Sequence, residues 1–184
     1  MRVIAGKAKG HRLKAPKGTV TRPATDLVRG AIFSILENTT SDWERVLDLF
    51  AGSGALGIES LSRGAGWVDF VDQEPRCYSI IRQNLEKTKL AAQAHIYCCS
   101  VAKAISFLEE AYSIVLIDPP YSDLSIGSLV RQLANSKLLR PNAIVVVTHS
   151  PRLPLNSTID TLHFLKERRH GDSCITVYQK EDKP

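Results

Sequence analysis

Apolar residues recur along this chain with two alternating periods. From Leu27 to Leu36 they fall three and four apart (Leu27, Val28, Ala31, Ile32, Ile35, Leu36), a helical stripe that Thr25 or Asp26 is placed to cap and that should end near Asn38-Thr39-Thr40. Gly30 inside it costs about 1 kcal/mol against alanine and points to close packing there. From Arg45 onward, short apolar runs alternate with amphipathic stretches. Strands are expected at Val46 to Leu49, Trp67 to Asp72, His95 to Cys99, Ile114 to Asp118 and Ala143 to Thr148. Helices are expected between them at about Ala55 to Arg63, Pro75 to Thr88, Ala102 to Leu108 and Ser128 to Ser136, the first closed by Gly64 and the second opened by Pro75. The fourth run is apolar almost throughout, as a central parallel strand requires. This alternation predicts an α/β fold, doubly wound, with helices on both faces of a mostly parallel sheet. The tail changes character: Thr161 to Lys166 and Ser173 to Gln179, joined by Arg168-Arg169-His170-Gly171-Asp172, read as an antiparallel hairpin that completes a seven-stranded sheet.

Composition narrows the picture. At 184 residues, 43% hydrophobic and 23% charged, the chain can bury one core with a small appendage. No apolar run reaches the roughly 18 residues that span a bilayer, and Met1 to Lys7 lacks a signal-peptide core, so a cytoplasmic location without membrane contact is expected. Cys77, Cys98, Cys99 and Cys174 form no C-x-x-C pair and no histidine sits at zinc-finger spacing, so neither a metal nor a disulfide framework is expected. Charge is informative by position. Seven cations, Arg2, Lys7, Lys9, Arg12, Lys14, Lys17 and Arg22, precede the first acid, Asp26, while the rest holds 17 Lys and Arg against 19 acids. Short apolar segments flank Gly6 and Gly10, which suits a small hairpin better than a solvated tail. A hairpin of that charge density fits nucleic-acid phosphates, whose neutralisation releases condensed counterions.

Ligands of open α/β sheets bind at the carboxyl ends of the strands, here Asp48, Asp72, Cys99-Ser100, Asp118 and Thr148. Gly52-Ser53-Gly54-Ala55-Leu56-Gly57 matches G-x-G-x-x-G, and Asp72 lies 20 residues beyond Gly52, placed to accept from ribose hydroxyls. Taken alone, that fingerprint favours a dinucleotide. Asp48 shifts the balance, because a carboxylate is unfavourable beside a pyrophosphate but suits a sulfonium and an ammonium group. Asp118-Pro119-Pro120-Tyr121 shifts it further. Two prolines make a rigid turn without N–H donors, leaving carbonyls as acceptors between a carboxylate and an aromatic face. That set matches an exocyclic amino group on a flat base: both N–H groups find acceptors, and stacking on Tyr121 is worth about 1–3 kcal/mol.

Together with the opening Arg2-Val3-Ile4-Ala5-Gly6 and the segment Thr21 to Arg29, these motifs resemble the RsmD-type methyltransferases of bacterial small-subunit ribosomal RNA, over essentially the whole chain. The resemblance implies a Rossmann-like class I methyltransferase fold at residues 25–184, preceded by a basic RNA-contacting hairpin extension at 1–24. It implies methyl transfer from S-adenosylmethionine to the N2 amino group of one guanine in 16S rRNA, by a monomer acting on an assembled or assembling subunit. Asp48, Phe50, Ala51, Gly52, Ser53 and Gly54 would hold the methionine part of the cofactor, and Asp72 with Gln73 its ribose. Ser100 and Val101 would lie beside the adenine, Thr25 and Arg29 would border the cofactor, and Asp118, Pro119, Pro120 and Tyr121 would receive the base. Arg2, Lys7, Lys9, Arg12, Lys14, Lys17 and Arg22 would grip RNA. Two departures from the family pattern stand out: Gly30 replaces a common glutamate, and Ser100 an acidic residue that takes the adenine amino group. Two other readings stay open. A DNA adenine-N6 methyltransferase shares D-P-P-Y, but the chain has no long insert able to read duplex sequence. An NAD-dependent oxidoreductase shares the glycine fingerprint, but lacks a recognisable acid or base for hydride transfer.

Overall fold

The structure is a computed structural model and describes residues 1–16 and 25–182. Lys17, Arg22 and the segment 21–24 lie outside the described residues. Helix α1 spans Asp26–Glu37, and Thr25 caps it by accepting the Val28 N–H at 3.3 Å. Then follow β1 (Arg45–Leu49), α2 (Ala55–Ser62), β2 (Trp67–Asp72), α3 (Pro75–Thr88), a 3-10 turn at Ala91–Gln93, β3 (Ala94–Cys98), α4 (Val101–Phe107), β4 (Tyr112–Ile117), α5 (Ile126–Ala134) and β5 (Leu139–His149). The chain closes with β6 (Thr158–Ile159), β7 (Leu162–His170) and β8 (Ser173–Lys180).

One sheet contains all eight strands in the order β3-β2-β1-β4-β5-β8-β7-β6. The first five are parallel, and β8, β7 and β6 are antiparallel. Strand residues alternate between two cores. Val46, Val68, Leu116 and Val146 face α1, α2 and α3, while Leu47, Val115, Val145 and Val147 face α4 and α5. The strand order reverses between β1 and β4, so a crevice opens at their carboxyl ends.

Three expectations need correction. The sheet has eight strands, because the two-residue β6 pairs with Leu162 and His163 and is too short to leave a hydrophobic period. The expected linker is mostly strand: β7 runs through Arg168, Arg169 and His170, and only Gly171, at φ +60, and Asp172 turn the chain. At Gly30 an added Cβ would meet nothing within 4 Å, so no close packing explains that glycine.

Residues 1–16 form a narrow hairpin with a single bridge, Arg2 to Arg12, turning through Gly6 and Gly10 at positive φ. Val3, Ala8 and Leu13 are buried in the core formed with α1 to α3. Buried polar groups fasten the hairpin as a strap. The Glu59 carboxylate accepts the Ile4 and Ala5 N–H groups at 2.7 and 3.0 Å, and the Ser62 hydroxyl accepts that of Ala8 at 2.9 Å. Asn84 accepts the Lys14 N–H at 2.8 Å and donates to the carbonyls of Lys14 and Ser53, each at 2.9 Å. The strap is thereby bonded to the glycine loop through one side chain.

Candidate active site

A cavity of about 630 Å3 lies at the strand reversal, within the range of small-molecule sites. Its floor is the β1–α2 turn. Phe50, Gly52 and Gly54 adopt φ of 60, 58 and 76, so every second residue is left-handed and the backbone doubles back beneath the cavity. Phe50 accepts that conformation without being glycine, at a cost typical of functional sites. The turn is fastened to β2 from both sides: Ala51 donates to the Val71 carbonyl at 3.0 Å and Gly52 to Asp72 Oδ2 at 2.8 Å. Gly57 is needed for another reason. A Cβ there would stand 2.3 Å from the Phe70 ring, so α2 lies flush on β2 only because the position is bare.

That close approach brings the Gly57 N–H to Asp48 Oδ2 at 2.9 Å. Asp48 is otherwise desolvated, and its Oδ1 is buried without a partner. Burial pushes its carboxyl up to about 8, the Gly57 hydrogen bond pulls it back, and the charges of Asp118 and Asp72 raise it further. Arg29 is the counterpart. Its guanidinium donates to the Arg2 carbonyl at 2.7 Å and pairs with Asp26 at 2.6 Å, while Nε and Nη1 are buried without partners. Burial lowers its pKa from the ordinary arginine value, and Asp26 and Glu59 work against that shift. Asp48 and Arg29, side chains of opposite charge type, both line the cavity, and each keeps buried polar atoms without a protein partner. A ligand group carrying an ammonium and a carboxylate would satisfy both.

Beside them, Asp72 Oδ1 accepts the Glu74 N–H at 2.9 Å, so each oxygen of Asp72 takes one backbone donor and keeps a lone pair for a ligand hydroxyl. Burial raises the Cys77 thiol to about 12, with the Asp72 charge adding to it, so this cavity-lining cysteine stays protonated. Across the reversal stands the Asp118 to Tyr121 turn. Thr148, at the end of β5, donates to Asp118 Oδ1, and the Tyr121 hydroxyl is hydrogen-bonded to that of Ser173 at the start of β8. Two neighbouring strands therefore aim the turn.

The structure brings most of the expected residues together. Asp48, Phe50, Ala51, Gly52 and Ser53 line the cavity, as do Asp72, Gln73, Val101, Arg29 and the whole Asp118 to Tyr121 turn. Three expected residues are not on its wall. Gly54 packs beneath it, within 3.3 Å of Ile81 and Phe70 for an added Cβ; Thr25 caps α1; and the Ser100 hydroxyl caps α4 by accepting the Lys103 N–H at 3.3 Å. Arg2, Lys7, Lys9, Arg12 and Lys14 are exposed along the strap. Sequence reasoning missed Glu74, Cys77, Ala55, Leu56 and Ser122, all within a few residues of motifs it did find. It also missed Ala15 and Pro16, for which no local signal exists because the strap is brought in by Asn84. Among the described residues no group of three or more His, Cys, Asp or Glu could hold a metal ion, and no helix is long and apolar enough to cross a membrane.

A doubly wound sheet ending in an antiparallel hairpin, with a glycine turn and strand-end carboxylates at the reversal, is the class I methyltransferase architecture. Residues 1–179 match the family model described as conserved hypothetical protein 95, and the chain belongs to that family, the RsmD-type proteins its motifs resemble. A "putative rRNA methyltransferase YlbH" of Bacillus subtilis is 34% identical over 183 residues, covering 98% of this chain and 99% of the relative. The "ribosomal RNA small subunit methyltransferase D" of Escherichia coli K12 is 31% identical over 189 residues, covering 98% and 90%. Among solved structures, a "putative methyltransferase yhhF from Escherichia coli" superposes with a TM-score of 0.87 at 27% identity, over 100% of this chain and 99% of its own.

Proposed function

We propose that the chain transfers a methyl group from S-adenosylmethionine to the exocyclic N2 amino group of one guanine in 16S rRNA. One observation carries the reading: a single cavity is lined by Asp48 and Arg29, each with buried polar atoms that lack a protein partner, and by the Asp118 to Tyr121 turn. The amino-acid end of S-adenosylmethionine bears an ammonium for Asp48 and a carboxylate for Arg29, and its ribose hydroxyls suit Asp72. NAD has no amino-acid end, and its pyrophosphate would face a buried carboxylate. The names of the relatives support rRNA as the substrate class, and that of the Escherichia coli relative the rRNA of the small subunit. The five exposed cations of the strap suit an RNA backbone, met by a monomer on the assembled or assembling subunit.

When bound, S-adenosylmethionine supplies a methyl group on a positively charged sulfur. Asp118 and the Pro119 carbonyl accept the two N–H bonds of the amino group, which turns its lone pair out of the ring plane and toward that methyl. Thr148 fixes the carboxylate through its hydroxyl, and Tyr121, anchored on Ser173, holds the base plane. Asp118 takes up the surplus proton along the hydrogen bond it already makes. The remaining contribution is positioning, which in such transfers is worth several kcal/mol.

The test uses small subunits from cells lacking the protein, incubated with it and labelled S-adenosylmethionine, followed by digestion to nucleosides. Label in N2-methylguanosine of 16S rRNA is the expected result. Label in adenine, transfer to DNA instead of rRNA, or calorimetry in which NAD binds and S-adenosylmethionine does not, would overturn the reading.

A further inference from the structure

The carboxyl-terminal hairpin carries cations that the site described so far does not use. In the register of the sheet, Thr148 of β5 stands opposite Ile175 of β8, and Ile175 stands opposite Arg168 of β7. Directly opposed residues share a face. Thr148 and Arg168 therefore project from the same side, in one row across three strands. With adjacent strands 4.7–4.9 Å apart, the Arg168 backbone lies about 10 Å from that of Thr148. Thr148 is the residue that holds Asp118. A second tie brings the hairpin turn to the base pocket: Tyr121 is bonded to Ser173, which pairs with His170 across the turn.

The chemistry of this edge favours a polyanion. Arg168 and Arg169 are exposed, and neither takes part in a salt bridge among the described residues. Their printed hydrogen bonds are local, Arg168 Nη1 to the Glu167 carbonyl at 3.3 Å and Arg169 Nε to the Gly171 carbonyl at 3.1 Å, which leaves most of each guanidinium for an outside partner. The neighbouring acid is turned away from Arg168 and shares the opposite face with Arg169: Glu167 accepts from the Thr176 hydroxyl at 2.7 Å and lies 3.7 Å from His149. Asp172 sits in the turn itself. Beyond His163, β7 has no outer strand among the described residues, so its side chains stand at an open edge.

Charged residues on an open edge strand also guard against strand-to-strand aggregation. That role alone would not require Arg168 to share the row of Thr148, nor the turn to be bonded to Tyr121. We propose that Arg168 binds a backbone phosphate of the RNA strand that presents the target guanine, on the far side of Asp118 from the amino-terminal strap; Arg169, opposite Cys174, projects from the other face and takes no part. The proposal rests on the functional reading above. It makes the enzyme a two-sided clamp, with the strap gripping one flank of the base and the hairpin the other.

The experiment compares the full chain with Arg168→Ala, Arg168→Lys and Arg169→Ala, measuring 16S rRNA binding across a salt series, methyl transfer, S-adenosylmethionine affinity and monomer content. A lost phosphate contact removes about 0.7–0.9 from the slope of log affinity against log salt, so Arg168→Ala should lower it by about that much and Arg169→Ala, on the other face, by clearly less. In Arg168→Ala, KM for RNA should rise severalfold with kcat and cofactor affinity little changed, and Arg168→Lys should restore most of the slope. An unchanged slope and KM in Arg168→Ala would overturn the proposal, including the case in which that variant only aggregates and its monomer binds RNA as before, and so would an equal loss in Arg169→Ala. Failure of the functional reading looks different: the unaltered protein would then bind RNA without methylating it, and the slope comparison would still decide the role of the hairpin.

Discussion

The two carboxylates that meet across the strand reversal are held in opposite ways. Asp48 is sunk in β1, takes one backbone N–H, and keeps its second oxygen buried and unpaired. Asp118 is half-buried at the end of β4, and a hydroxyl from the neighbouring strand holds it. The first arrangement keeps the carboxyl protonated until a cationic ligand pairs with it, since an isolated buried carboxylate is costly. The second stores aim. The contrast separates a group that selects what binds from a group that directs what reacts, and substitutions on either side should move different observables.

The largest effect is expected at Asp118. Asp118→Ala removes an acceptor that is strongest as the amino nitrogen becomes pyramidal, so methyl transfer should fall by about 10²–10³-fold, as when one oriented hydrogen-bonding group is lost elsewhere. Calorimetry should find S-adenosylmethionine affinity little changed. Retained transfer, or an equal loss of cofactor binding, would erase the division of labour between the two carboxylates.

Asp48→Asn should do the reverse. Removing a hydrogen bond to a charged group costs about 1.5–3 kcal/mol, so cofactor affinity should weaken by roughly ten- to a hundredfold. The pH dependence carries a sign. In the ligand-free protein the Asp48 carboxyl titrates near 8 against an ordinary 3.8, so between those values the folded state holds a proton that the unfolded state has lost. Stability of the ligand-free protein should therefore decline as pH rises through that window, and Asp48→Asn should flatten the decline in thermal unfolding. Cofactor binding favours the carboxylate, so affinity should rise with pH to about 8 and release protons below it. Affinity that falls over this range would sink the role given to Asp48.

Much of this was legible in the sequence, and the reasons are local. The strand at Ile114 to Ile117 and the stripe from Leu27 to Leu36 are strongly periodic, and Asp48, Asp72 and Asp118 to Tyr121 stand at strand ends where any open α/β sheet places ligands. The glycine fingerprint was legible as a shape and ambiguous as to cofactor, because Gly52 serves the turn and Gly57 the packing of α2 on Phe70, neither of which depends on what binds. What was not legible is what depends on distant pairing. Ser100 reads as a strand-end ligand but spends its hydroxyl on α4, and β6 has too few residues to show a period. The docking of the strap was hidden as well, since Glu59 and Asn84 look like surface residues of amphipathic helices until the strap covers them.

Asn84 tests whether the selecting half of the site extends into that strap. The buried amide meets the partly exposed Lys14 backbone twice and the buried Ser53 carbonyl once. Asn84→Ala leaves those backbone groups unpaired at about 1–3 kcal/mol, visible as a lower melting temperature. Because Ser53 belongs to the glycine turn, cofactor and RNA affinity should weaken together. RNA affinity falling alone would confine Asn84 to the strap.

The smallest effect is expected where aim is refined instead of supplied. The Tyr121 hydroxyl and Ser173 form one neutral hydrogen bond, joining the base-holding turn to the start of β8. Such a bond contributes about 0.5–1.5 kcal/mol, so Tyr121→Phe and Ser173→Ala should each slow methyl transfer by only two- to tenfold. Tyr121→Phe keeps the ring, so stacking on the base survives. Both variants should leave cofactor affinity and melting temperature near those of the unaltered chain. If the bond acts by orienting the turn, the double variant should be no slower than either single one, since both remove the same contact. Additive losses in the double-mutant cycle would mean that the two hydroxyls act separately, and that their bond is not what aims the base side of the cavity.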